Sequence, residues 1–190
     1  MTALALDAKI SDLNLREVWE RARNRRGLMT VLGREGANRV VANFRQLTER
    51  GNRFDAPSTG YWESAANSVH SEALDDSRAV ISINHVGVRL HYLGGEVRAV
   101  AKKRLTIPAI AAAHGKRATE FQGLWLMKKH GVPIALARTI PGDGKKKAFE
   151  VVYWLRKSVL HRAEPDTLPA ISDLQDALTD RAQRWFARNN

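Results

Sequence analysis

Apolar positions between residues 30 and 50 recur at steps of three and four, so that Ala37, Val40, Val41, Phe44 and Leu47 share one face, with Gly51 just beyond. That spacing predicts an amphipathic helix from near Thr30 to about Arg50, stopped by glycine. The same period runs through "SDLNLREVWERARNRR", residues 11–26, on Leu15, Val18, Trp19 and Ala22 behind a Ser-Asp pair suited to capping. Five arginines crowd this shorter helix (Arg16, Arg21, Arg23, Arg25, Arg26). The last of them suit a helix C-terminus, where cations meet the negative end of the dipole, and Gly27 is expected to end it. "NRFDAPSTG", residues 52–60, is a loop of turn formers, and "YWESAANSVHSEAL" then predicts one more short helix through Trp62, Ala65, Ala66 and Val69.

From residue 78 the period drops from about 3.6 to 2. "RAVISIN" predicts a strand closed by Asn84. "VGVRLHYLGGEVRAVA" predicts a hairpin turning at Gly94-Gly95, with Tyr92 opposite Val97, Leu90 opposite Ala99, and His91 opposite Arg98 on the other face; a helical turn before the glycines is the alternative. Pro108 ends the extended "LTIP" piece. "LWLMKKHGVPIALARTI" and "KKAFEVVYWLRKSV" are two further β-rich runs joined by "PGDGKKK", which predicts a hairpin with a lysine-loaded tip. Beyond "EPDTLP", the stripe Ile171, Leu174, Leu178, Ala182 and Trp185 predicts a C-terminal helix.

Helices first, then strands, then a closing helix predict an α+β fold: a helical part over 11–70, an antiparallel sheet with hairpins over 78–160, and a C-terminal helix over 168–188. The 190 residues, 44% of them hydrophobic, are enough for one domain spanning 1–190 with its own core. There is no cysteine, which excludes disulfides, cysteine-zinc sites and thiol nucleophiles. No apolar run approaches the ~20 residues of a membrane span, and "MTALALDAKISDLNLREVW" lacks the basic start and apolar core of a signal peptide, so the expectation is a soluble protein used inside a cell, with no membrane partner.

A formal charge of +11 favours phosphate polymers or acidic protein faces as partners. Two basic triplets stand on predicted loops, Lys102-Lys103-Arg104 and Lys145-Lys146-Lys147, and with Arg98 they are the candidate contacts to DNA or a partner. Such contacts read backbone, not bases. Catalytic patterns are missing. "PGDGKKKAF" has no hydroxyl residue after its lysines and sits between strands, so it is not a phosphate loop. The six histidines show no His-Glu-x-x-His, and His85 with His91 on one strand face makes a poor site. No serine stands in a nucleophile elbow. The expectation is therefore no enzyme, no metal and no cofactor, with the tryptophans (Trp62, Trp125, Trp154, Trp185) packed in the core.

Within "HYLGGEVRAVAKKRLTIPA", an aromatic-x-Gly-Gly turn, a short strand and a basic bend lead into a strand that ends in proline. Tyr92, Gly94, Gly95, Val97, Arg98, Lys102, Lys103, Leu105, Ile107 and Pro108 carry this pattern, and "FEVVYWLRKSV" adds Tyr153, Leu155, Lys157 and Ser158. Together they resemble the two signatures of the virion morphogenesis and tail-completion proteins of long-tailed phages. The sequence departs from that pattern at Ala99, where a proline is usual, and in the long hairpin "PIALARTIPGDGKKKAFEVVYW".

The resemblance implies a non-enzymatic structural protein of the virion, assembled in the host cytoplasm, that finishes the tail and permits head–tail joining. It implies a homo-oligomeric ring, expected as a hexamer, at the head–tail junction or the head-proximal tail end. Its neighbours would be other neck and tail proteins, with non-specific contact to packaged DNA. The turn and fold signature would be Tyr92, Gly94, Gly95, Leu105, Ile107 and Pro108. Charge alone leaves a second reading open, a sequence-independent DNA-binding accessory protein, and a third, a hydrolase or nuclease with an unrecognised site.

Overall fold

In a computed structural model, residues 16, 19, 20, 22–52, 54–100, 103–142 and 147–187 are described. The fold is α+β: N-terminal helices, a central antiparallel β region and a C-terminal helix. The described chain divides into two compact units, one formed by residues up to 43, 66–84 and from 169 on, the other by residues 44–65 and 85–168.

Helix α1, Arg25–Glu49, starts earlier than its apolar period predicts. Asn24 is the reason. Its side-chain oxygen accepts from the Gly27 N–H at 3.0 Å and its carbonyl from the Leu28 N–H at 3.1 Å, an N-cap that overrides the helix-breaking tendency of Gly27. Gly27 therefore lies inside α1 and does not end the preceding helix, and Arg25 and Arg26 open α1 instead of closing an earlier one. Asn24→Ala is expected to cost about 1 kcal/mol, read as a lower urea midpoint with an unchanged slope.

In the first unit the buried face of α1 runs through Gly33, Gly36, Ala37 and Val40. It meets a hairpin of β1, Val69–Ala73, and β2, Ala79–Ile83, paired antiparallel from Val69↔Ile83 to Ala73↔Ala79. A methyl group added at Gly36 would stand 2.6 Å from Ile81 Cδ1, so the missing side chain is what lets helix and hairpin approach. The helix expected over 61–74 thus stops early: only α2, Tyr61–Asn67, is helical, and Val69–Ala73 after it pair with the predicted strand. Asp75 closes the β1–β2 turn, accepting from the Ser77 N–H at 2.8 Å and from Arg78, whose guanidinium holds the carboxyl well below its usual range. Helix α4, Ile171–Ala187, completes the unit. Its inward stripe includes Ala177 and Leu178, while Ile171, expected in that stripe, is 73% exposed in the first turn.

The second unit holds α3, Val88–Leu93, and the strands β3, Gly95–Arg98; β4, Leu105–Pro108; β5, Trp125–Lys129; β6, Val132–Pro141; β7, Lys147–Arg156; and β8, Ser158–His161. A four-stranded antiparallel sheet has the order β4-β7-β6-β5, and β3 pairs with β8 in a second, two-stranded sheet. The predicted lysine-tipped hairpin is β6–β7; its tip, with Lys145 and Lys146, lies outside the described residues. The run expected as one strand before it is itself a hairpin, β5–β6, turning at His130-Gly131, where His130 has φ 49°.

Val152 and Tyr153, adjacent on β7 at a register shift, both point inward and form the core of this sheet with Ala113. Ile110, Phe121, Leu124 and Leu136 pack around them. Tyr153 is 1% exposed and its hydroxyl donates to the Lys116 carbonyl at 2.9 Å. The other face of the sheet is less covered: Trp125 and Trp154, expected in the core, are 40% and 41% exposed, and Trp125 meets the half-open Phe149 ring edge-on at 5.9 Å.

Candidate functional site

The Gly94-Gly95 pair does not turn a hairpin. Residues 88–93 form α3, Tyr92 lies on that helix, and the strand after the glycines pairs with β8 instead of with residues 88–92. The alternative of a helical turn before the glycines is the one observed. Gly94 takes φ 69°, ψ −175°, a combination essentially restricted to glycine, while its N–H still donates to Leu90 at 2.8 Å. A β-carbon there would lie 2.7 Å from the Ala163 nitrogen and 2.9 Å from the His161 oxygen, both backbone atoms. Gly94 is therefore both a corner and a point of close backbone approach.

Once past that corner, β3 runs antiparallel to β8 and β4 antiparallel to β7. Gly95 pairs with His161 and Arg98 with Ser158; after an interruption, Leu105 pairs with Arg156 and Pro108 with Tyr153. The break on both sides falls at the same place, Lys157, whose carbonyl accepts from the Ala99 N–H at 3.2 Å. Of the described residues between the two pairings, Val100, Lys103 and Arg104 are thus ejected from the edge, and the two sequence signatures are strand partners of each other.

The ejected loop carries Val100, 96% exposed, and the exposed Lys103, followed by the half-buried Arg104; Lys102 lies outside the described residues. Strand pairing sets this loop beside Arg156 and Lys157, both exposed; Lys157 is read from the sequence only as part of the second signature, and neither is read there as a contact. Arg104 also lines a surface cavity of about 480 Å³ with Val97, Leu105, Ile107 and Val159. Arg98 is committed elsewhere. It donates to Glu96 at 2.7 Å, and this pairing, with a hydrogen bond from Ser158, holds the Glu96 carboxyl below its usual range. Lys147 opens β7 at the end opposite Arg156, roughly 30 Å away at ~3.3 Å per strand residue, so it does not join the loop in one basic surface.

The same corner gathers a second group. His91 in the last turn of α3, His161 at the end of β8 and Glu164 beyond it each offer a donor atom, and the three atoms lie within 4.8 Å of one another. His91 Nδ1 is 2.9 Å from one Glu164 oxygen and His161 Nε2 is 4.0 Å from the other. Two features fix the arrangement: the Gly95↔His161 register, and the Glu164 N–H donating to the His91 carbonyl at 2.8 Å. His161 Nδ1 lies 2.7 Å from the Arg162 carbonyl, which can only accept. That nitrogen carries the proton, so Nε2 of the neutral ring is an acceptor.

An aromatic stack backs the group. Phe44, fully buried, stacks on Trp62 at 5.6 Å, Trp62 meets the His91 ring edge-on at 4.8 Å, and His91 meets the His161 ring at 4.5 Å. Tyr61, 5.3 Å from His91, has its hydroxyl pKa raised by burial and, secondarily, by the Glu164 charge. The group opens on a cavity of about 810 Å³ that also presents Leu47, Phe54, His114 and Asp166. Arg50 pairs with Asp166 there and holds its carboxyl below the usual range. The approach of His91 to Glu164, 73 positions away, is not visible in the residue pattern, although His161-x-x-Glu164 is a spacing that puts two ligand types in local reach.

Comparison of the chain with protein-family models, with curated proteins and with solved structures finds no match.

Proposed function

We propose that this chain is a non-enzymatic, ring-forming subunit of a tailed-phage virion, acting in tail completion and head–tail joining. The observation that carries the reading is the pairing of the two signatures: the strand after the Gly-Gly corner pairs with β8 from Gly95↔His161 to Arg98↔Ser158, and the Leu-Thr-Ile-Pro strand pairs with β7 from Leu105↔Arg156 to Pro108↔Tyr153. A signature spread over two distant segments makes physical sense when its residues pair with each other.

The ejected loop fits such a role. It offers apolar Val100 beside cationic Lys103, Arg104, Arg156 and Lys157, a mixture suited to an acidic neighbouring subunit with an apolar centre. The unpaired outer edge of β5, guarded by Lys128 and Lys129, offers main-chain pairing to a second copy.

The test is genetic and structural together. Particles made without this chain are expected to accumulate as separate heads and unfinished tails, and native mass spectrometry of complete particles is expected to find the chain as a ring. Normal joined particles in its absence overturn the reading. The same loop supports a second reading, sequence-independent DNA binding, which predicts duplex affinity falling steeply with salt; no binding at low salt removes it.

A further inference from the structure

We infer that His91, His161 and Glu164 form a divalent transition-metal site, with zinc as its first occupant. Two imidazoles and one carboxylate are the donor set that borderline cations such as zinc favour, whereas magnesium and calcium prefer oxygen. Four-coordinate zinc with bonds of about 2.0–2.1 Å places its donors about 3.3 Å apart. The Glu164–His91 and Glu164–His161 separations of 2.9 and 4.0 Å bracket that value, and all three donor atoms lie within 4.8 Å of one another, so binding requires them to draw in by about an ångström.

Three further features separate this group from an ordinary surface ion pair. The Arg162 carbonyl fixes the His161 tautomer from outside, the support that metal-bound imidazoles generally have, and leaves Nε2 on the side of Glu164. The backbone bond from Glu164 to His91 holds two ligands together before any cation arrives, lowering the ordering cost of binding. Both histidines are about one-quarter exposed, at 26% and 27%, and Glu164 is 49% exposed, so the imidazoles are partly shielded while the carboxylate is open to solvent. On binding, zinc replaces the proton shared between His91 and Glu164 and leaves a fourth position toward the cavity for water or a ligand atom from outside.

The site is independent of the ring proposal and is tested on the untagged full chain. Cobalt serves as the visible probe and zinc as the competitor. Cobalt is expected to give the intense visible absorption of a four-coordinate site, saturating at one equivalent and erased by zinc but not by excess magnesium. His161→Asn keeps the amide donor to Arg162 and removes Nε2; Glu164→Gln keeps the hydrogen bond to His91 and removes the charge. Each is expected to weaken zinc at least about tenfold and to abolish the zinc-induced rise in melting temperature. His130→Asn, at the β5–β6 turn and outside the group, is the control for scattered histidine binding and should leave the affinity unchanged. Absence of the cobalt band, or zinc binding that survives His161→Asn and Glu164→Gln in folded protein, overturns the site and leaves His91–Glu164 as an ion pair alone.

Discussion

Tyr153→Ala is expected to destabilise the β4-β7-β6-β5 sheet by about 3–5 kcal/mol, the range for removing a large ring from a closed core. The ring is almost fully buried, meets Phe121 edge-on at 5.8 Å and fills the space between the sheet and the Ala111–Ala113 turn. Its neighbour Val152 is held by the same register shift and cannot swing in to fill the gap. Tyr153→Phe separates the hydroxyl from the ring: losing the bond to the Lys116 carbonyl is expected to cost about 1 kcal/mol. The hydroxyl also sets a pH dependence. Burial, then the Glu120 charge, raises its folded pKa above the unfolded value of about 10. A raised folded pKa means this stability is fully present below the unfolded value and is lost as pH rises through the folded one. Wild type should therefore lose urea midpoint between neutral pH and about pH 11, and Tyr153→Phe should lose less. Tyr61, raised in the same direction, adds to the slope in both proteins. Equal slopes in the two proteins would remove the tyrosine explanation.

Periodicity located the elements whose packing partners are local in kind. The face Ala37-Val40-Phe44-Leu47 and the β6–β7 hairpin are legible because burial of one stripe or one alternating set suffices to specify them. The errors fall where a backbone group decides. Alternation through "VGVRLHYLGG" satisfied a hairpin on paper, yet residues 88–93 coil because Gly94 can leave the helix by a corner no other residue tolerates, and β3 finds β8 as its partner. Asn24 likewise starts α1 five residues before the first predicted turn by supplying a side-chain acceptor that no apolar period records.

The candidate sites show the same division. The basic bend was legible as charge next to a strand end, but its neighbours Arg156 and Lys157 were hidden inside a strand signature and join the bend only through the Leu105↔Arg156 pairing. Arg98, read as a candidate contact, stays exposed and pairs with Glu96 two residues away, a same-face neighbour on a strand. The histidine-carboxylate group was not legible, because it depends on a tertiary strand pairing, β3–β8, and on the cap of α3 at once. One residue links all three outcomes, since the corner at Gly94 creates the β3 edge strand, the ejected loop and the approach of His91 to Glu164.

Gly94→Ala is accordingly expected to have the second large effect. Strain from a β-carbon at φ 69°, ψ −175° costs about 1–3 kcal/mol, and forcing that carbon against backbone atoms 2.7 and 2.9 Å away costs about 1–3 kcal/mol more. Neither obstacle is the end of a flexible side chain, so neither can step aside without moving β8. Gly123→Ala is the matched control: its φ is also 69°, but nothing stands within 4 Å of the added carbon, so only the conformational cost of about 1–2 kcal/mol applies. In urea unfolding Gly94→Ala should be the more destabilised of the two, chiefly by the close-approach share. Hydrogen exchange should locate it, with the Glu164 amide bonded to His91 and the amides paired between β3 and β8 losing protection in Gly94→Ala and keeping it in Gly123→Ala. If the two variants prove equally destabilised, the approach of residues 161–163 to Gly94 is not tight, and the corner acts through its dihedral angles only.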